Sequence, residues 1–288
     1  MVIYMDHIIF FGQVGGVSIE RMERDSDFNM ASKHFHNEYE IYYLVNGNRC
    51  YFIENQAYDI RKGSLVMIDR NQIHKTVMGG TAYHERILTL ITEEALEDIF
   101  RLYDNIDIRS FFARDFGVIE LNDQGQRYLE GIFSDLVSEL TKKHTGYEFA
   151  VKARLAELIL FAYRCRNGES PGMQAEAAAS EKYRKINEIA EYITHNFQQD
   201  ISLADIAQSF YLSKSYLSRS FKEVTGFTVN EYINAVRIKE ARQMLENTDF
   251  SITQIAGLVG YDSITYFEKV FKKYLELSPL KYRKRFLT

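Results

Sequence analysis

The C-terminal part of the chain contains one sequence pattern twice, about 50 residues apart. The first copy reads ISLADIAQSFYLSKSYLSRSFKEVTG, and the second reads SITQIAGLVGYDSITYFEKVFKKY. When the copies are aligned, Ile206-Ala207 falls on Ile255-Ala256, and Phe221-Lys222 falls on Phe271-Lys272. An internal duplication indicates that one supersecondary unit is built twice. This part of the chain is therefore predicted to fold as two similar units.

Each copy has the pattern of a helix-turn-helix. In the first copy, Ser202 is predicted to cap the short helix LADIAQSF, and Tyr211-Leu212 are predicted to form a turn. Ser213 is then expected to cap a second helix, KSYLSRSFKEVT, and Gly226 stands where a helix-ending glycine is expected. A short helix, a tight turn and a capped second helix together make a helix-turn-helix.

The second copy follows the same order after a longer helix. Ser251 is expected to cap ITQIAGLV, Gly260-Tyr261 to form the turn, and Asp262 or Ser263 to open the second helix. The segment Val229–Glu246 between the copies is predicted to be one amphipathic helix, about 27 Å long at 1.5 Å per residue. Such a spacer would hold two recognition helices roughly one turn of a DNA duplex apart.

Charge is divided unevenly along the chain. Residues 1–181 carry 19 Lys and Arg against 28 Asp and Glu, a net charge of −9, whereas residues 182–288 carry 16 against 12, a net charge of +4. A basic module that follows an acidic one favours a polyanionic partner for the basic part. Together with the duplication, this predicts binding to double-stranded DNA.

The candidate DNA contacts lie on the outward faces and at the N-termini of these helices. Serines at helix starts suit phosphate groups, and Arg219 can donate two hydrogen bonds to guanine. The alternative is that these positions are ordinary solvated residues. The candidate residues are Ser202, Ser213, Lys214, Ser215, Ser218, Arg219, Ser251, Ser263, Ile264, Thr265, Glu268 and Lys269.

The segment from about residue 184 to residue 286 resembles the DNA-binding domain of the AraC/XylS family of bacterial transcription regulators. The motifs LSRSFK, AVRIKEA, IAGLVGYDSITYF, FKKY and SPLKYR stand where that family has them. The resemblance implies base contacts from Ser215, Ser218 and Arg219 in the first unit and from Ile264, Thr265, Glu268 and Lys269 in the second. Glu276 departs from the glycine that the family usually has before the Ser-Pro step, so a different local geometry is expected there.

Residues 1–92 have the pattern of short β-strands. The apolar runs EIYYLV, RCYFI and SLVMI are separated by Asn46-Gly47, Glu54-Asn55 and Lys62-Gly63, which are typical of hairpin turns. Many short strands at close spacing favour a sandwich or a small barrel. A helix capped by Thr92 is predicted to follow.

Two amphipathic helices are predicted between Asp123 and Arg166, with a break at Thr145-Gly146. The first has an apolar face that includes Tyr128, and the second includes Phe149. Such a hairpin can pack on its own barrel or on a second subunit, and we expect it to form a homodimer. The predicted domains are an effector domain over residues 1–122, the hairpin over 123–166, a linker over 167–181 and a DNA-binding domain over 182–288.

Three histidines and one glutamate form a possible metal site in the N-terminal part. His34, His36 and Glu40 have the spacing H-x-H-x3-E, and His74 closes the second element, G-x10-H. Imidazole and carboxylate ligands suit a divalent transition metal. On one strand His34, His36 and Glu40 would face the same side, together with Tyr42, and His74 would come from a partner strand. Tyr39, Arg49 and Tyr51 have the opposite parity or follow a turn, so they are less favoured as pocket residues.

These two elements are similar to the two cupin motifs, and AraC-type regulators often carry a cupin-like barrel as their effector domain. The resemblance implies an effector pocket lined by His34, His36, Glu40, Tyr42 and His74, with a sugar or another small metabolite as the effector. Two interpretations of the histidines remain open. They either hold a Zn, Mn, Fe or Ni ion or serve as hydrogen-bonding groups without a metal.

The sequence as a whole predicts a multidomain α+β protein, in which a cupin-like β-barrel with a helical hairpin precedes an all-α domain with two helix-turn-helix units. We expect a ligand-responsive transcription regulator, an activator by analogy with the family, that contacts RNA polymerase and is not an enzyme. A metallo-cupin enzyme and an architectural DNA-binding protein without a ligand are the alternatives. A cytoplasmic location without a membrane partner is expected, since no apolar run approaches about 18 residues and Cys50 and Cys165 show no motif spacing.

Overall fold

The computed structural model describes residues 6–25, 35–101, 108–114, 116–169, 172 and 180–286. The strands are β1 (His7–Val14), β2 (Val17–Asp25), β3 (Tyr39–Ile53), β4 (Gln56–Arg61), β5 (Ser64–Ile68), β6 (His74–Met78), β7 (Tyr83–Ile91) and β8 (Gly117–Glu120). The helices of the N-terminal part are α1 (Glu93–Phe100), α2 (Ile108–Arg114), α3 (Asp123–Lys142) and α4 (Tyr147–Arg166). The helices of the C-terminal part are α5 (Glu181–Asn196), α6 (Leu203–Ser209), α7 (Lys214–Thr225), α8 (Val229–Asn247), α9 (Ile252–Leu258), α10 (Ile264–Leu275) and α11 (Pro279–Phe286).

The strands pair antiparallel in the order β1-β2-β7-β3-β5-β8, and β4 and β6 pair with β3 as well. Strand β3 is long and bends in the middle, so it belongs to two sheets. Its first half pairs with β5 and β7, and its second half pairs with β4 and β6. The prediction of a hairpin turn at Asn46-Gly47 was therefore wrong. Those residues lie inside β3, where the register against β7 shifts between Leu44 and Asn46. Gly47 adopts a φ of 92°, and a Cβ there would lie 2.5 Å from the carbonyl oxygen of Tyr83.

The bulge reverses which residues of β3 face the barrel interior. Tyr42 and Leu44 before the bulge share one buried cluster with Tyr51 and Ile53 after it. Interior residues are therefore even-numbered in the first half of β3 and odd-numbered in the second half. This reversal decides which residues line the candidate pocket.

The helical hairpin of α3 and α4 covers the outer face of its own sheet. Leu129, Phe133 and Leu155 belong to one core cluster with Ile41 and Tyr43 of β3. The side of the hairpin that the sequence marks as apolar is thus already buried within the chain.

Tyr128 and Phe149 were predicted to lie on the apolar faces of the hairpin, and this prediction was wrong. Tyr128 is 46% exposed and Phe149 is 79% exposed. The hydroxyl of Tyr128 donates a hydrogen bond to Oε1 of Glu157, which draws the ring to the surface. Phe149 lies in the first turn of α4 and faces outward.

The C-terminal helices form the two predicted helix-turn-helix units, α6–α7 and α9–α10, with α8 between them. Ser202, Ser213 and Ser251 cap their helices as predicted. The expected difference at Glu276 is wrong. Glu276 ends α10 with φ 64° and ψ −8°, close to the φ 74° and ψ −5° of Gly226 at the end of α7.

Cys50 and Cys165 are buried free thiols, as the absence of motif spacing indicated. In the part of the chain that the structure describes, no helix is both long and apolar enough to cross a lipid bilayer. Most of the predicted linker, residues 170–171 and 173–179, lies outside the described residues.

Candidate DNA interface and effector pocket

The second helices of the two units present matching faces. Leu217, Phe221 and Val224 of α7 are buried, and so are Phe267, Phe271 and Tyr274 of α10, at positions 50 residues further on. Leu217 of the first unit therefore corresponds to Phe267 of the second unit. The predicted base-reading positions lie on the opposite, exposed sides of these helices. They are Ser215, Ser218 and Arg219 in α7 and Ile264, Thr265, Glu268 and Lys269 in α10.

The capping serines already use their hydroxyl oxygens within the protein. Ser213 Oγ accepts the N–H of Tyr216 at 3.2 Å, and Ser263 Oγ accepts the N–H of Tyr266 at 3.3 Å. Ser202 forms a reciprocal capping box with Asp205, which places a carboxylate at the start of α6. Because Ser213 and Ser263 accept through oxygen, their hydroxyl hydrogens stay available to donate to a phosphate beside the backbone amides. The Ser202 hydroxyl instead donates to Asp205, whose carboxylate opposes a phosphate at α6.

Sequence reasoning missed three tyrosines on the same side. Tyr216 and Tyr266 occupy the third position of α7 and α10 and are 40% and 51% exposed, and Tyr211 in the first turn is 97% exposed. The equal spacing of Tyr216 and Tyr266 in the two copies was a usable signal. An aromatic ring that is repeated at an exposed position of each unit suits contact with the sugar-phosphate backbone or with a thymine methyl.

Inside the barrel, His36, Glu40 and His74 meet. The Nε2 atom of His36 lies 3.1 Å from Oε2 of Glu40, and Nε2 of His74 lies 3.4 Å from the same oxygen. The two imidazole rings stand edge to face with centroids 5.0 Å apart. The other carboxylate oxygen, Oε1, accepts a 2.5 Å hydrogen bond from the hydroxyl of Tyr51.

The backbone orients both imidazole rings. Nδ1 of His36 lies 3.2 Å from the carbonyl oxygen of Glu38, and Nδ1 of His74 lies 2.9 Å from that of Gln72. A carbonyl only accepts, so each Nδ1 carries the proton. In a neutral ring, Nε2 would then direct a lone pair at the carboxylate of Glu40. This arrangement is stable when a proton or a metal ion lies between each Nε2 and Oε2.

Burial and charge shift the protonation of this cluster. Burial disfavours ionisation of Glu40, but the positive charges and hydrogen bonds of His74 and His36 outweigh it and hold the pKa of Glu40 well below its usual range. Burial likewise favours a neutral His36, but Glu38 and Glu40 outweigh it and raise the pKa of His36 to about 10. Burial raises the pKa of Tyr42 to about 12 and that of Tyr51 well above its usual range.

The structure brings together most of the predicted pocket residues. His36 lies before β3 rather than on a strand, yet it reaches Glu40, and Tyr42 packs edge to face against Tyr51 at 5.2 Å. His34 lies outside the described residues. The expectation that Tyr51 is a less favoured pocket residue was wrong, because the bulge in β3 turns its side chain into the barrel.

The outer faces of the same strands contact the C-terminal domain. Along β6, His74 faces Glu40, whereas the next residue, Lys75, donates a 2.7 Å hydrogen bond to the carbonyl of Gly226 at the end of α7. Along β3, Tyr51 faces the pocket, whereas Cys50 contacts the carbonyl of Val224. The two strands therefore separate the pocket from the DNA-binding domain by one layer of backbone.

A second set of contacts joins the turn after β3 to α8. Tyr232 donates a 2.7 Å hydrogen bond to the carbonyl of Glu54, and Nζ of Lys239 lies 2.8 Å from both carboxylate oxygens of Glu54. The domain contact is also apolar, since Phe52 packs against Phe227 and Tyr232.

Comparison with known protein families assigns both halves of the chain. Residues 16–159 match the family model "AraC-like ligand binding domain", and residues 206–285 match the model "Helix-turn-helix domain". The chain belongs to the AraC family of transcription regulators. As such it is a ligand-responsive regulator with an N-terminal ligand-binding domain and a C-terminal helix-turn-helix DNA-binding domain.

The chain is similar in sequence to known transcription regulators. The HTH-type transcriptional activator RhaR of Mannheimia succiniciproducens is 24% identical over 98% of this chain and 96% of its own. The Msm operon regulatory protein of Streptococcus mutans is 34% identical over 40% of this chain and 42% of its own. The crystal structure of ToxT from Vibrio cholerae O395 covers 93% of this chain and 97% of its own, at 15% identity and a TM-score of 0.37. The curated relatives are named as transcription regulators, which fits a chain that is not an enzyme.

Proposed function

We propose that the effector binds inside the barrel against His36, Glu40, Tyr42 and His74, with Tyr51 as a further contact. One observation carries this proposal: β3 and β6 present the pocket on one face and the DNA-binding domain on the other. A ligand that binds better to one position of these strands shifts the population toward it. The contacts at Lys75 and Cys50 then pass the shift to α7, the first recognition helix. The coupling is reciprocal, so DNA binding changes the affinity for the effector by the same factor.

The polar groups of the pocket favour an oxygen-rich effector. The carboxylate of Glu40 accepts hydrogen bonds from hydroxyl groups, and the rings of Tyr42 and Tyr51 offer apolar faces. This combination suits a sugar or a similar polyhydroxylated metabolite, because precisely placed polar groups in an otherwise apolar site fix a ligand's orientation.

The acting form that we propose is a cytoplasmic homodimer that activates transcription through contact with RNA polymerase. The buried face of the hairpin is occupied by its own sheet, so a dimer contact would use the outward face that carries Tyr128 and Phe149. Exposed aromatic side chains of this kind favour a protein contact. The name of the RhaR relative supports activation as the output.

The experiment is a DNA-binding titration of the full-length protein on an operator selected from random sequence, with a panel of neutral sugars and polyols as effectors. We expect one of them to change DNA affinity, and Glu40→Gln to abolish that response while binding to DNA persists. Glu130→Gln is the matched control, because Glu130 also accepts a tyrosine hydroxyl, that of Tyr43, but outside the pocket. A response that survives Glu40→Gln would contradict the proposed pocket.

A second possibility is that this site also binds a divalent transition metal ion. The orientation of the imidazole rings of His36 and His74 favours it. Both imidazoles hold Nδ1 against a carbonyl and direct Nε2 at one carboxylate oxygen, as ligating histidines do. The nitrogens and oxygens of His36, Glu40 and His74 lie within 4.8 Å of one another, which fits one ion. The bound ion would supply positive charge for effector oxygens.

Elemental analysis of protein prepared without chelators or affinity-tag metal tests this candidate. We expect close to one equivalent of Zn, Mn, Fe or Ni, and its loss in His74→Gln. Retention of the metal in His74→Gln, or its absence from the wild type, would leave the histidines as hydrogen-bonding groups.

A further inference from the structure

Phe35, the residue before His36, contacts the second recognition helix. Its ring stacks on Tyr274 of α10, with ring centroids 5.9 Å apart and ring planes 16° from parallel. Phe35 is 8% exposed and belongs to the buried cluster that contains the core of the C-terminal helices. The side chain of His36 meanwhile reaches Glu40 in the pocket. Two adjacent residues of the chain therefore join the pocket to α10.

The same arrangement occurs at the other histidine of the pocket. His74 faces Glu40, and the adjacent Lys75 donates its hydrogen bond to the carbonyl of Gly226 at the end of α7. Each pocket histidine thus has a neighbour in the chain that contacts a recognition helix. One neighbour contacts the first helix-turn-helix unit, and the other contacts the second unit.

These contacts fall on equivalent parts of the two units. Tyr274 lies 50 residues after Val224, whose carbonyl contacts Cys50, and both are buried in the last turns of their helices. At the other end of the same helices, the base-reading positions Ser215 and Ile264 are exposed. The barrel therefore contacts both recognition helices at their C-terminal ends and leaves their N-terminal ends accessible to DNA.

The pocket holds the two contact points together. Oε2 of Glu40 lies 3.1 Å from Nε2 of His36 and 3.4 Å from Nε2 of His74. The N–H of Asn71, in the turn before β6, also donates a 2.7 Å hydrogen bond to the carbonyl of His36. A ligand that separates the two imidazoles therefore displaces their neighbours in the chain relative to one another.

The contact at Tyr274 is suited to pass on such a displacement. The Tyr274 hydroxyl donates a 2.9 Å hydrogen bond to the carbonyl of Glu231 in the first turn of α8, which fixes the far end of the ring. Stacked aromatic rings depend on their relative geometry as well as on buried area, and close-packed interiors transmit strain. A shift of Phe35 is therefore carried to α10 and to the start of α8.

We infer that Phe35 is a positioning residue that couples the effector pocket to α10, so that one pocket sets the position of both recognition helices. The two helices must reach successive faces of the major groove at the same time. Binding through two linked contacts depends on a geometry that lets both form together. The state of the pocket therefore determines which spacing between the two half-sites of an operator is bound best. This inference rests on the proposed function of the barrel as the effector site.

Operators with altered spacing test this coupling without an effector. From an operator selected with the full-length protein, variants are made in which the two half-sites lie one base pair closer together or further apart. Loss of base discrimination in Arg219→Ala and in Lys269→Ala identifies the half-sites of α7 and α10. The affinity for each variant relative to the parent operator gives a spacing preference. A purely structural role of Phe35 would lower affinity for all spacings alike.

The pocket is perturbed by substitution in place of a ligand. We expect Glu40→Gln to change the spacing preference by about threefold or more, as neighbouring residues couple by this amount. In the background of Phe35→Leu, which keeps an apolar side chain and loses the stacked ring, Glu40→Gln should leave the spacing preference unchanged. His36→Gln, which breaks one of the two bridges to Glu40, replaces Glu40→Gln if that variant does not fold.

Phe111→Leu is the matched control. Phe111 also packs against a tyrosine ring, that of Tyr163 at 5.4 Å, but within the ligand-binding domain. In this background the change caused by Glu40→Gln should persist. An equal change in the Phe35→Leu and Phe111→Leu backgrounds would overturn the inference, and so would an unchanged spacing preference in Glu40→Gln itself.

A second measurement needs no pocket variant. Full-length protein carrying 4-fluorophenylalanine at position 35 is titrated with the selected operator, and its ¹⁹F NMR signal is followed. The coupling is reciprocal, so we expect DNA to shift this signal and to leave the signal of a label at position 111 in place. A signal at position 35 that DNA does not move would contradict the coupling.

Failure of this inference and failure of the proposed function give different results. If no sugar or polyol alters DNA binding, but the spacing preference depends on Glu40 and Phe35, the pocket is coupled to α10 and only the class of effector is wrong. If a sugar acts through Glu40 and Phe35→Leu alters neither its effect nor the spacing preference, the barrel is the effector site and Phe35 only packs.

Discussion

Tyr51 donates its hydroxyl hydrogen to Oε1 of Glu40 at 2.5 Å, although the two residues lie on either side of a bulge in the same strand. Both groups are fully buried, and the carboxylate is ionised. The bond therefore compensates a buried charge and at the same time fixes the bend of β3. The geometry of the pocket and the bend that carries β3 to the DNA-binding domain depend on one another.

Tyr51→Phe removes this donor and should lower the free energy of unfolding by about 1.5–3 kcal/mol, the range for a hydrogen bond to a charged group. Urea unfolding measures the change. Tyr43→Phe is the control, because Tyr43 donates to the exposed Glu130, where water replaces the lost bond. Equal losses of unfolding free energy in the two variants would show that the hydrogen bond from Tyr51 does not stabilise the buried carboxylate of Glu40.

The bulge also explains why part of the candidate site could not be predicted from the sequence. Helix caps such as Ser202 and Ser213 were predictable because capping depends on neighbouring residues. The inward position of Tyr51 was not, because one extra residue inside a strand reverses every later side chain. Asn46-Gly47 has the composition of a hairpin turn, and only pairing with β7 makes it part of a strand.

The protonation of His36 makes stability depend on pH. Its pKa is raised to about 10 in the folded protein against about 6.5 in the unfolded chain. A raised pKa adds stability that is fully present below about pH 6.5 and is lost as the pH rises toward 10. In chelator-treated protein, the difference in unfolding free energy between the wild type and His36→Gln should therefore shrink from pH 7 to pH 10. A constant difference would show that the ring is neutral in the folded state.

Glu276 ends α10 in a left-handed conformation that favours glycine. Glu276→Gly should raise the free energy of unfolding by about 0.5–1 kcal/mol, because the side chain no longer opposes this φ. The equivalent change in the other direction, Gly226→Ala, should destabilise the protein. A Cβ there would lie 2.7 Å from Cγ1 of Val77 as well as opposing the positive φ. Thermal unfolding of both variants measures whether each substitution raises or lowers the stability of the protein. A loss of stability in Glu276→Gly would contradict this account.

Arg219→Ala should reduce affinity for a selected operator by about 1–3 kcal/mol, the range for a lost contact to a base. The loss should be confined to sequences with the matching base pair, since a base contact discriminates and a phosphate contact does not. Arg114→Ala removes the same charge from the exposed surface of α2 in the ligand-binding domain and controls for the change in net charge. A uniform loss over all sequences in Arg219→Ala would assign Arg219 to the DNA backbone instead.

The ion pair between Lys239 and Glu54 links α8 to the turn that follows the pocket half of β3. Both side chains are 21% exposed, and Nζ lies 2.8 Å from each carboxylate oxygen. Lys239→Met keeps the apolar stem of the side chain and removes the charge. It should reduce the change in DNA affinity that an effector causes, because the turn no longer holds α8 in one position. A double-mutant cycle with Glu54→Gln measures the pair, and we expect an interaction energy of about 0.5 kcal/mol or more in the coupling. Independent effects of the two substitutions would place the transmission in the other contacts between the two domains.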